Sequence, residues 1–491
     1  MHTTIDLHIV LADGVVVHPT PNVNDMIKSV VLGYDPLSIP RMLMKIESEP
    51  VIYEPHRDQR DGKLWYFCDG LWKKAPHKEA FVALLTDPKG GFQRFARLLL
   101  EQYRRRLGTL AHAPDACKAT SKSIESVHAL AGHCVTWLKG CMHDTDVADW
   151  FDKHHERAST VALFKNKATL DLTNLVSRYP KPSDGFCVTL PYDFSHDLVL
   201  SSRTDLDVME FLSTIMNNDT ETVEYLLDFL SLCINFIDKP DKFVLFIAGH
   251  EKTSGKHLLL RLIKNALGDM AMSFPGELLR HTKQTGSEDV TPLFNGIAKS
   301  HAALAIGVGF KSKWTIGEGT LLKLATCDRI CRREPLRPIV EMRMEKYKTI
   351  VSVDGDGPLT IDVTGDMVTA YRRVAVIHLD RVVVPEMQVA EPGTNQIYLP
   401  DDIGESVDSS DWGMALLGML IRRLRVITKT PRAFSTDAGC CAMGVQRATM
   451  KLLPQYNPPF PGTWGHLHEV AKSVRVPKTQ PKSKPKTTKR K

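Results

Sequence analysis

The sequence contains no apolar segment that approaches the roughly 20 residues of a membrane-spanning helix, so we expect no span. The N-terminus, Met1 to Leu11, alternates apolar and polar residues and lacks the basic and then apolar order of a secretory signal. The ten cysteines include no CxxC pair, which favours a reducing compartment over a disulfide scaffold. Together these absences predict an intracellular protein.

Zinc ligands in a usable spacing are also lacking. His133, Cys134, Cys141 and His143 form one Cys/His cluster, but their separations match no compact zinc motif. Their segment instead carries apolar residues at helical spacing, so we predict no metal site in it.

A net positive charge is lacking outside the C-terminal tail. The chain has a net charge of +6, yet the tail from Lys472 to Lys491 alone holds nine Lys and Arg residues and no acid. The rest of the chain is therefore net acidic. The tail is rich in Pro and Lys without apolar periodicity, which predicts a disordered arm. Two functions are open for this arm, nuclear import or nucleic-acid binding, and a merely solubilising terminus is the alternative.

The remaining composition, with 43% hydrophobic and 24% charged residues, is typical of a folded protein. The segment Lys63–Lys74 (KLWYFCDGLWKK) predicts a hairpin with an Asp-Gly turn. Its Trp and Tyr residues stand beside lysines, so they could stack nucleic-acid bases or form the apolar face of a small sheet. Two amphipathic helices are predicted between Asp205 and Ile237.

A strand, a glycine-containing loop and a helix follow these helices. Lys242–Ala248 is an unbroken apolar strand of the kind that is buried in a parallel sheet. The loop from Gly249 to Gly255, here named the glycine loop, leads into an apolar helix for which Gly268 is the predicted C-cap. Strand, glycine loop and helix in this order predict a phosphate-binding unit.

The chemistry of the glycine loop is incomplete. In a phosphate loop, backbone N–H groups and a helix N-terminus surround phosphate oxygens, a lysine reaches the terminal phosphates, and a following hydroxyl binds Mg²⁺. Gly249, Gly255 and Lys256 supply the first two features, although five residues rather than four separate the glycines. His257 occupies the hydroxyl position, and imidazole is a poor ligand for hard Mg²⁺. We predict that nucleotide binding survives and that hydrolysis is impaired.

Two segments on either side of the glycine loop carry further motifs. The upstream segment is Leu163–Phe194, in which Lys167 occupies a position that is a glycine in the corresponding family motif. The motif residues of these two segments are Asn166, Asp171, Leu172, Arg178 and Asp184 upstream, and Glu318, Lys323, Leu324, Asp328, Ile330 and Arg332 downstream, within Trp314–Glu334.

Two later segments complete the series: Tyr347–Pro358 (YKTIVSVDGDGP) and Tyr371–Val384 (YRRVAVIHLDRVVV). In their order and spacing, these motifs and the glycine loop resemble the superfamily 3 helicases of the phage/plasmid primase C-terminal type, which include poxvirus-like helicase-primases. The resemblance covers roughly Lys63 to Met450. It implies that Tyr347–Pro358 is the sensor strand and that Arg372 or Arg373 reaches the nucleotide of a neighbouring subunit.

The resemblance implies an α/β fold with an AAA+-like, parallel-sheet P-loop core. The expected regions are an N-terminal α+β region (1–200), a helical collar (205–240), the superfamily 3 core (241–385), a helical C-terminal region (386–471) and the disordered basic tail (472–491).

The function implied by the resemblance is that of a DNA replication helicase of a large DNA virus or related element. Such a protein is a homo-hexameric ring motor that uses ATP and Mg²⁺ on single-stranded or forked DNA, in the host nucleus or at a viral replication site, with primase or other replication partners. A run of cations suits phosphate tracking or forms a solvated hairpin. These candidate DNA-binding residues are Lys323, Arg329, Arg332, Arg333 and Arg337.

The departures from the family pattern fall on nucleotide chemistry. The strand before Glu318, His301–Phe310, lacks the acid that holds Mg²⁺ and activates water, and Gly307 is the position that we predict for it. Asp354 replaces the neutral sensor asparagine, where its charge would repel a γ-phosphate unless a metal intervenes. The alternative is that Asp354 is only part of a turn. Asp354 or Glu318 is the candidate substitute for the missing metal ligand.

The residues also bear on two other functions. A non-enzymatic DNA-binding ring or scaffold would keep the fold and lose hydrolysis. A primase needs clustered carboxylates for two metals. The two Asp-x-Asp pairs, at Asp144 and Asp205, lack supporting residues or open a helix, where acids are ordinary, so we predict no primase activity.

Overall fold

The computed structural model describes most of the chain between residues 161 and 429 and short stretches outside it. Within this described part, no helix is both long enough and apolar enough to cross a bilayer. The described residues are 9–10, 16–17, 51–54, 63–68, 70–74, 82, 161–172, 174–181, 184–234, 243–250, 253–281, 291–300, 302–326, 330–332, 340–342, 347–355, 357–362, 373–384, 395–429, 445 and 448–449.

Short antiparallel sheets precede the main body of the protein. The predicted hairpin is confirmed, because Cys68 pairs with Leu71 and Gly70 adopts a φ of +82° in the tight turn. Trp72 is only 2% exposed and packs edge-on against Phe67, so the hypothesis that it stacks bases is wrong. The strands are β1 (Ile9–Val10), β2 (Val16–Val17), β3 (Val51–Glu54), β4 (Lys63–Cys68), β5 (Leu71–Lys74), β6 (Val161–Leu163), β7 (Thr169–Asp171) and β8 (Ser177–Arg178).

The motif residues around β6, β7 and β8 have structural partners. The guanidinium of Arg178 donates two parallel hydrogen bonds to the Asp184 carboxylate, at 2.7 and 2.8 Å, and these bonds raise the pKa of Arg178. The backbone N–H of Lys181 donates to the same carboxylate at 2.7 Å. Arg178 and Asp184 therefore fix the loop after β8.

A turn with a left-handed residue connects β6 to β7. The Asn166 side chain accepts from the backbone N–H of Phe194 at 3.2 Å and donates to its carbonyl at 3.0 Å. Lys167 has a φ of +64°, a conformation that favours glycine. The turn is therefore of a glycine type although a lysine occupies it.

Two helices follow, α1 (Arg203–Ile215) and α2 (Thr220–Ser231), and both were predicted. Ser202 and Asp205 form a capping box at the start of α1, in which each side chain accepts from the other residue's backbone N–H. Asp205 therefore has a structural function. Helix α2 ends at Ser231, earlier than the predicted Ile237, and Leu232–Ile234 forms a turn.

The remaining elements form the α/β core and the C-terminal helices. In chain order they are β9 (Val244–Gly249), α3 (Lys256–Leu267), β10 (Ala271–Pro275), α4 (Thr291–Ser300), β11 (Leu304–Lys311), β12 (Thr315–Gly317), α5 (Glu318–Thr326), β13 (Ile330–Arg332), β14 (Val340–Met342), β15 (Lys348–Asp354), β16 (Thr360–Asp362), β17 (Val374–Leu379), β18 (Val382–Val384), β19 (Gln396–Tyr398), α6 (Ile403–Asp408) and α7 (Ser410–Lys429).

Five parallel strands form the central sheet in the order β10-β11-β15-β9-β17. All residues of β9 are buried, as expected for an apolar strand that is covered on both faces. After β9 the chain crosses to the far edge at β10, returns through β11 to β15 beside β9, and then adds β17 on the other side of β9. The strand order therefore switches at β9, and ligands of open α/β sheets bind outside the carboxyl ends of strands at such a switch.

Strand β11 contains a bulge near its carboxyl end. Gly307 pairs with Val351 and Phe310 pairs with Val353, so β11 has one residue more than β15 between these pairs. Gly309, within the bulge, adopts a φ of +76°. Because side chains alternate along a strand, the extra residue changes which face the last side chains of β11 occupy.

Helix α7 packs against α1, α2 and α3. Its apolar face includes Leu416, Leu420 and Leu424, which are fully or almost fully buried. On another face, Arg422 contacts the Asp205 carboxylate at 2.5 Å, and Arg423 forms ion pairs with Asp228 and Glu224 of α2.

Candidate functional site

The glycine loop connects β9 to α3 at the carboxyl edge of the sheet, which confirms the predicted strand, loop and helix. Gly255 is the N-cap of α3 with a φ of +74°, and a Cβ there would lie 3.0 Å from Ile215 Cγ2. A Cβ on Gly249 would lie 2.8 Å from Ser254 Oγ and 3.0 Å from the Leu379 carbonyl oxygen. Both positions therefore require glycine for the loop to close this tightly.

Lys256, the first residue of α3, lies beneath the glycine loop. Its side chain is 3% exposed, and its ammonium donates to the Val353 carbonyl at 2.5 Å and to the Gly249 carbonyl at 3.3 Å. The third contact is with Asp354 Oδ1 at 2.6 Å. A lysine ammonium has three donors, so these three acceptors satisfy it.

The Asp354 carboxylate bridges two lysines. Its Oδ1 contacts Lys256, and its Oδ2 lies 3.3 Å from the ammonium of Lys311, the last residue of β11. The carboxylate is 14% exposed and the Lys311 side chain is 32% exposed. We refer to Lys256, Asp354 and Lys311 as the Lys-Asp-Lys cluster. It carries one net positive charge beside the N-terminus of α3, and both features attract anions.

Sequence reasoning missed Lys311, and the bulge in β11 explains why. Lys311 is the register partner of Asp354, next to the end of β9. Gly307 was predicted to be the position of the missing acid, and this prediction is wrong because a Cβ there would point into the ring of Phe274, 2.8 Å away. A Cβ on Gly309, in contrast, would lie 3.9 Å from Asp354 Oδ2. Only the alternation of β11 side chains was visible in the sequence, and the inserted residue was not.

The described residues fit a phosphate better than a magnesium ion. A buried ammonium, a helix N-terminus and two required glycines match the chemistry of a phosphate cradle. Mg²⁺ needs several oxygen ligands, yet both oxygens of Asp354 contact ammonium groups. In the described part of the chain, no three His, Cys, Asp or Glu residues are grouped to hold a metal. The donor set therefore does not fit Mg²⁺.

The other predicted site residues lie at several places. His257 is exposed at the second position of α3, and Glu318 begins α5 with 8% exposure. Lys323 is half-buried on α5. Arg373 precedes β17, and its carbonyl accepts from the first N–H of β9 at 2.9 Å. Arg373 therefore lies at the amino ends of the strands, whereas the glycine loop lies at their carboxyl ends, roughly 20 Å away along the strand. It does not reach the glycine loop of its own chain.

Several predicted residues lie wholly or partly outside the described set. The backbone of Arg332 belongs to β13, and its side chain is outside the described set. The Cys/His cluster from His133 to His143 and the basic tail also lie outside the described residues, as do Arg329, Arg333, Arg337 and Arg372.

Comparisons with known proteins found structural likeness only. No protein-family model matches the chain, and no curated protein matches it. Three solved structures of the NrS-1 C-terminal region are similar to it. For the A-form apo structure, the TM-score is 0.35 and the sequence identity is 10%, and the match covers 78% of this chain and 69% of the NrS-1 chain. For the A-form apo structure of residues 305–718, the TM-score is 0.39 and the identity is 11%, and the match covers 82% of this chain and 75% of the NrS-1 chain. For the apo structure of residues 305–718, the TM-score is 0.38 and the identity is 10%, and the match covers 84% of this chain and 75% of the NrS-1 chain. At these TM-scores the likeness carries no functional argument.

Proposed function

We propose that the chain is a nucleoside-triphosphate-binding subunit of a DNA replication helicase, in which ATP hydrolysis is slow or absent. The observation that carries the proposal is the position of Lys256. This lysine is buried at the N-terminus of α3, directly after the glycine loop, at the strand where the order of the sheet switches. A buried ammonium at this place, among backbone carbonyls, is suited to receive a phosphate oxygen.

The sheet order supports an AAA+-like core. The glycine-loop strand β9 lies between the last two strands of the sheet in chain order, β15 and β17. This arrangement agrees with the P-loop core that the sequence resemblance implies. The same resemblance supplies the proposals of a homo-hexameric ring and of a trans-acting Arg372 or Arg373. It also supplies the proposed grip on single-stranded DNA by the cationic run from Lys323 to Arg337.

Impaired hydrolysis follows from the chemistry at the ends of β11 and β15. Phosphoryl transfer in P-loop proteins needs a metal between phosphates and protein and a group that orients the attacking water. The end of β11 carries Lys311 where a carboxylate is needed, and Asp354 is neutralised by the two lysines. Neither residue offers a general base, so we expect phosphate release to be slow.

A second candidate is a non-enzymatic ring or scaffold protein that retains the fold and DNA affinity. The Lys311 and Asp354 ion pair favours this candidate, because it replaces the hydrolytic groups with a stable contact. DNA-stimulated phosphate release separates the two candidates, because slow release that Lys256→Ala abolishes supports the helicase subunit and the absence of any release supports the scaffold. Robust release by the wild type that is abolished by Lys256→Ala would establish a working motor and contradict the proposed impairment.

Binding is tested with a fluorescently labelled ATP. Lys256→Ala removes a charge-assisted phosphate contact, so we expect a loss of about 1.5 to 3 kcal/mol in binding free energy. Lys264→Ala, an exposed lysine on the same helix, is the matched control and should leave binding unchanged. Thermal unfolding of both variants verifies that they fold. Equal ATP affinity of the wild type and a folded Lys256→Ala variant would overturn the proposal.

A further inference from the structure

We propose that this site binds nucleoside triphosphate without a divalent cation, and that the Lys311 ammonium takes the place of Mg²⁺. The inference rests on the proposed nucleotide binding and concerns its charge balance. A triphosphate carries several negative charges, and P-loop proteins ordinarily balance part of them with Mg²⁺ held by a hydroxyl and a carboxylate. Both ligands are replaced here, by His257 and by Lys311.

Lys311 is positioned to take over this charge. It is the last residue of β11, and β15 is the neighbour of both β11 and β9. One carboxylate touches both ammonium groups of the Lys-Asp-Lys cluster, at 2.6 and 3.3 Å. A phosphate presents oxygens at a spacing similar to that of a carboxylate, so one phosphate group can contact both lysines where Asp354 does now.

The bulge makes this arrangement specific to the end of β11. The extra residue beside Gly309 brings Lys311 into register with Asp354. Lys311 is also the less buried of the two lysines, with 32% of its side chain exposed against 3% for Lys256. This larger exposure lets Lys311 turn toward a bound phosphate at a smaller cost than Lys256.

The decisive measurement is the affinity for labelled ATP in EDTA and in excess Mg²⁺. We expect the two affinities of the wild type to agree within about threefold, because the described residues include no group of ligands that would hold the metal. Lys311→Met should weaken binding in EDTA by about tenfold or more, the loss of one charge-assisted contact. Lys313→Met, an exposed lysine two residues further along, is the matched control.

A second variant reverses the chemistry. Lys311→Glu combined with Asp354→Asn restores an acid at the end of β11 and an amide at the end of β15, so its ATP binding should become dependent on Mg²⁺. Thermal unfolding identifies any variant that has not folded, and Lys311→Met, at a third-exposed position, is the milder of the two changes.

The outcomes separate the inference from the proposed function. Binding of the wild type that requires Mg²⁺ and depends on Lys256 would overturn the inference and leave nucleotide binding intact. Metal-free binding that is unaffected by Lys311→Met would overturn the role of Lys311. No ATP binding under either condition would overturn both proposals.

Discussion

The contact between Asp354 and Lys256 makes a prediction with two opposite effects. In the present structure the Asp354 carboxylate accepts a hydrogen bond from the Lys256 ammonium that a phosphate would need, with 2.6 Å between Oδ1 and Nζ, and the Lys256 side chain is only 3% exposed. Asp354→Asn keeps the shape of the side chain and one acceptor oxygen while it removes the charge. We therefore expect the nucleotide-free protein to become less stable and its affinity for ATP to rise.

Both magnitudes follow from the strength of one charge-assisted hydrogen bond. Such bonds contribute about 1.5 to 3 kcal/mol, and the asparagine retains a neutral contact, so a stability loss of about 1.5 kcal/mol is expected. The same free energy no longer has to be given up when a phosphate replaces the side chain. Since 1.4 kcal/mol corresponds to a factor of about ten, ATP should bind about tenfold more tightly.

Thermal unfolding with and without ATP measures the two effects in one experiment. The variant should melt at a lower temperature than the wild type alone and should gain more from saturating ATP. Asp269→Asn, an exposed aspartate just beyond α3, serves as the control and should change neither quantity. Weaker ATP binding by Asp354→Asn in the presence of Mg²⁺ would refute the reasoning, because it would show that the carboxylate assists the nucleotide instead of competing with it.

Four further predictions concern the turn, the loop, a half-buried phenol and the tail. Lys167→Gly removes the strain of a lysine in the left-handed conformation, about 1 kcal/mol, while the glycine makes the unfolded chain more flexible and so offsets about half of this gain. Denaturant unfolding should therefore show a stability that is higher by about 0.5 kcal/mol, and a lower stability would contradict the strain at this turn. Gly249→Ala should abolish labelled-ATP binding because its Cβ would meet Ser254 and a backbone carbonyl, whereas Gly319→Ala, with open space around it, should not. Burial raises the pKa of Tyr192 to about 12, so the folded state keeps a proton that the unfolded state loses, and stability should fall between about pH 10 and pH 12. Tyr192→Phe should show a shallower fall in denaturation midpoint over that range, and identical profiles would rule the prediction out. Deletion of Val474 to Lys491 should weaken DNA binding and flatten its dependence on salt, and an unchanged slope would leave nuclear import as the better explanation of the tail.

Local patterns explain what could be predicted from the sequence. Strand β9, the glycine loop and α3 are contiguous, and their apolar run, glycines and lysine identify one another without any distant partner. The hairpin of β4 and β5 was visible for the same reason, from its Asp-Gly turn. In addition, the position of Asp354 at the end of its strand followed from the turn-forming residues after it.

Features that depend on pairing between distant strands were not predictable. The register of β11 against β15 decides whether Phe310 or Lys311 lies opposite Asp354, and the bulge that sets this register has no signature beyond a pair of glycines. The strand of Trp72 is likewise joined to a segment more than a hundred residues away, since the Trp72 backbone N–H donates to the Phe186 carbonyl at 2.7 Å. A sequence window reports propensity, whereas these contacts are properties of the assembled fold.

Helix α7 has a mechanical consequence for any movement at the glycine loop. It packs on α3, the helix that begins at Lys256, and the ion pairs of Arg422 and Arg423 attach it to α1 and α2. Ser409, between α6 and α7, also holds the C-terminal end of α3, because the Asn265 amide donates to the carbonyl of Ser409 at 2.7 Å. A shift of α3 along its axis would therefore strain all of these contacts together. The helices α1, α2 and α7 would have to move with α3 as a rigid body, or the ion pairs of Arg422 and Arg423 would have to break.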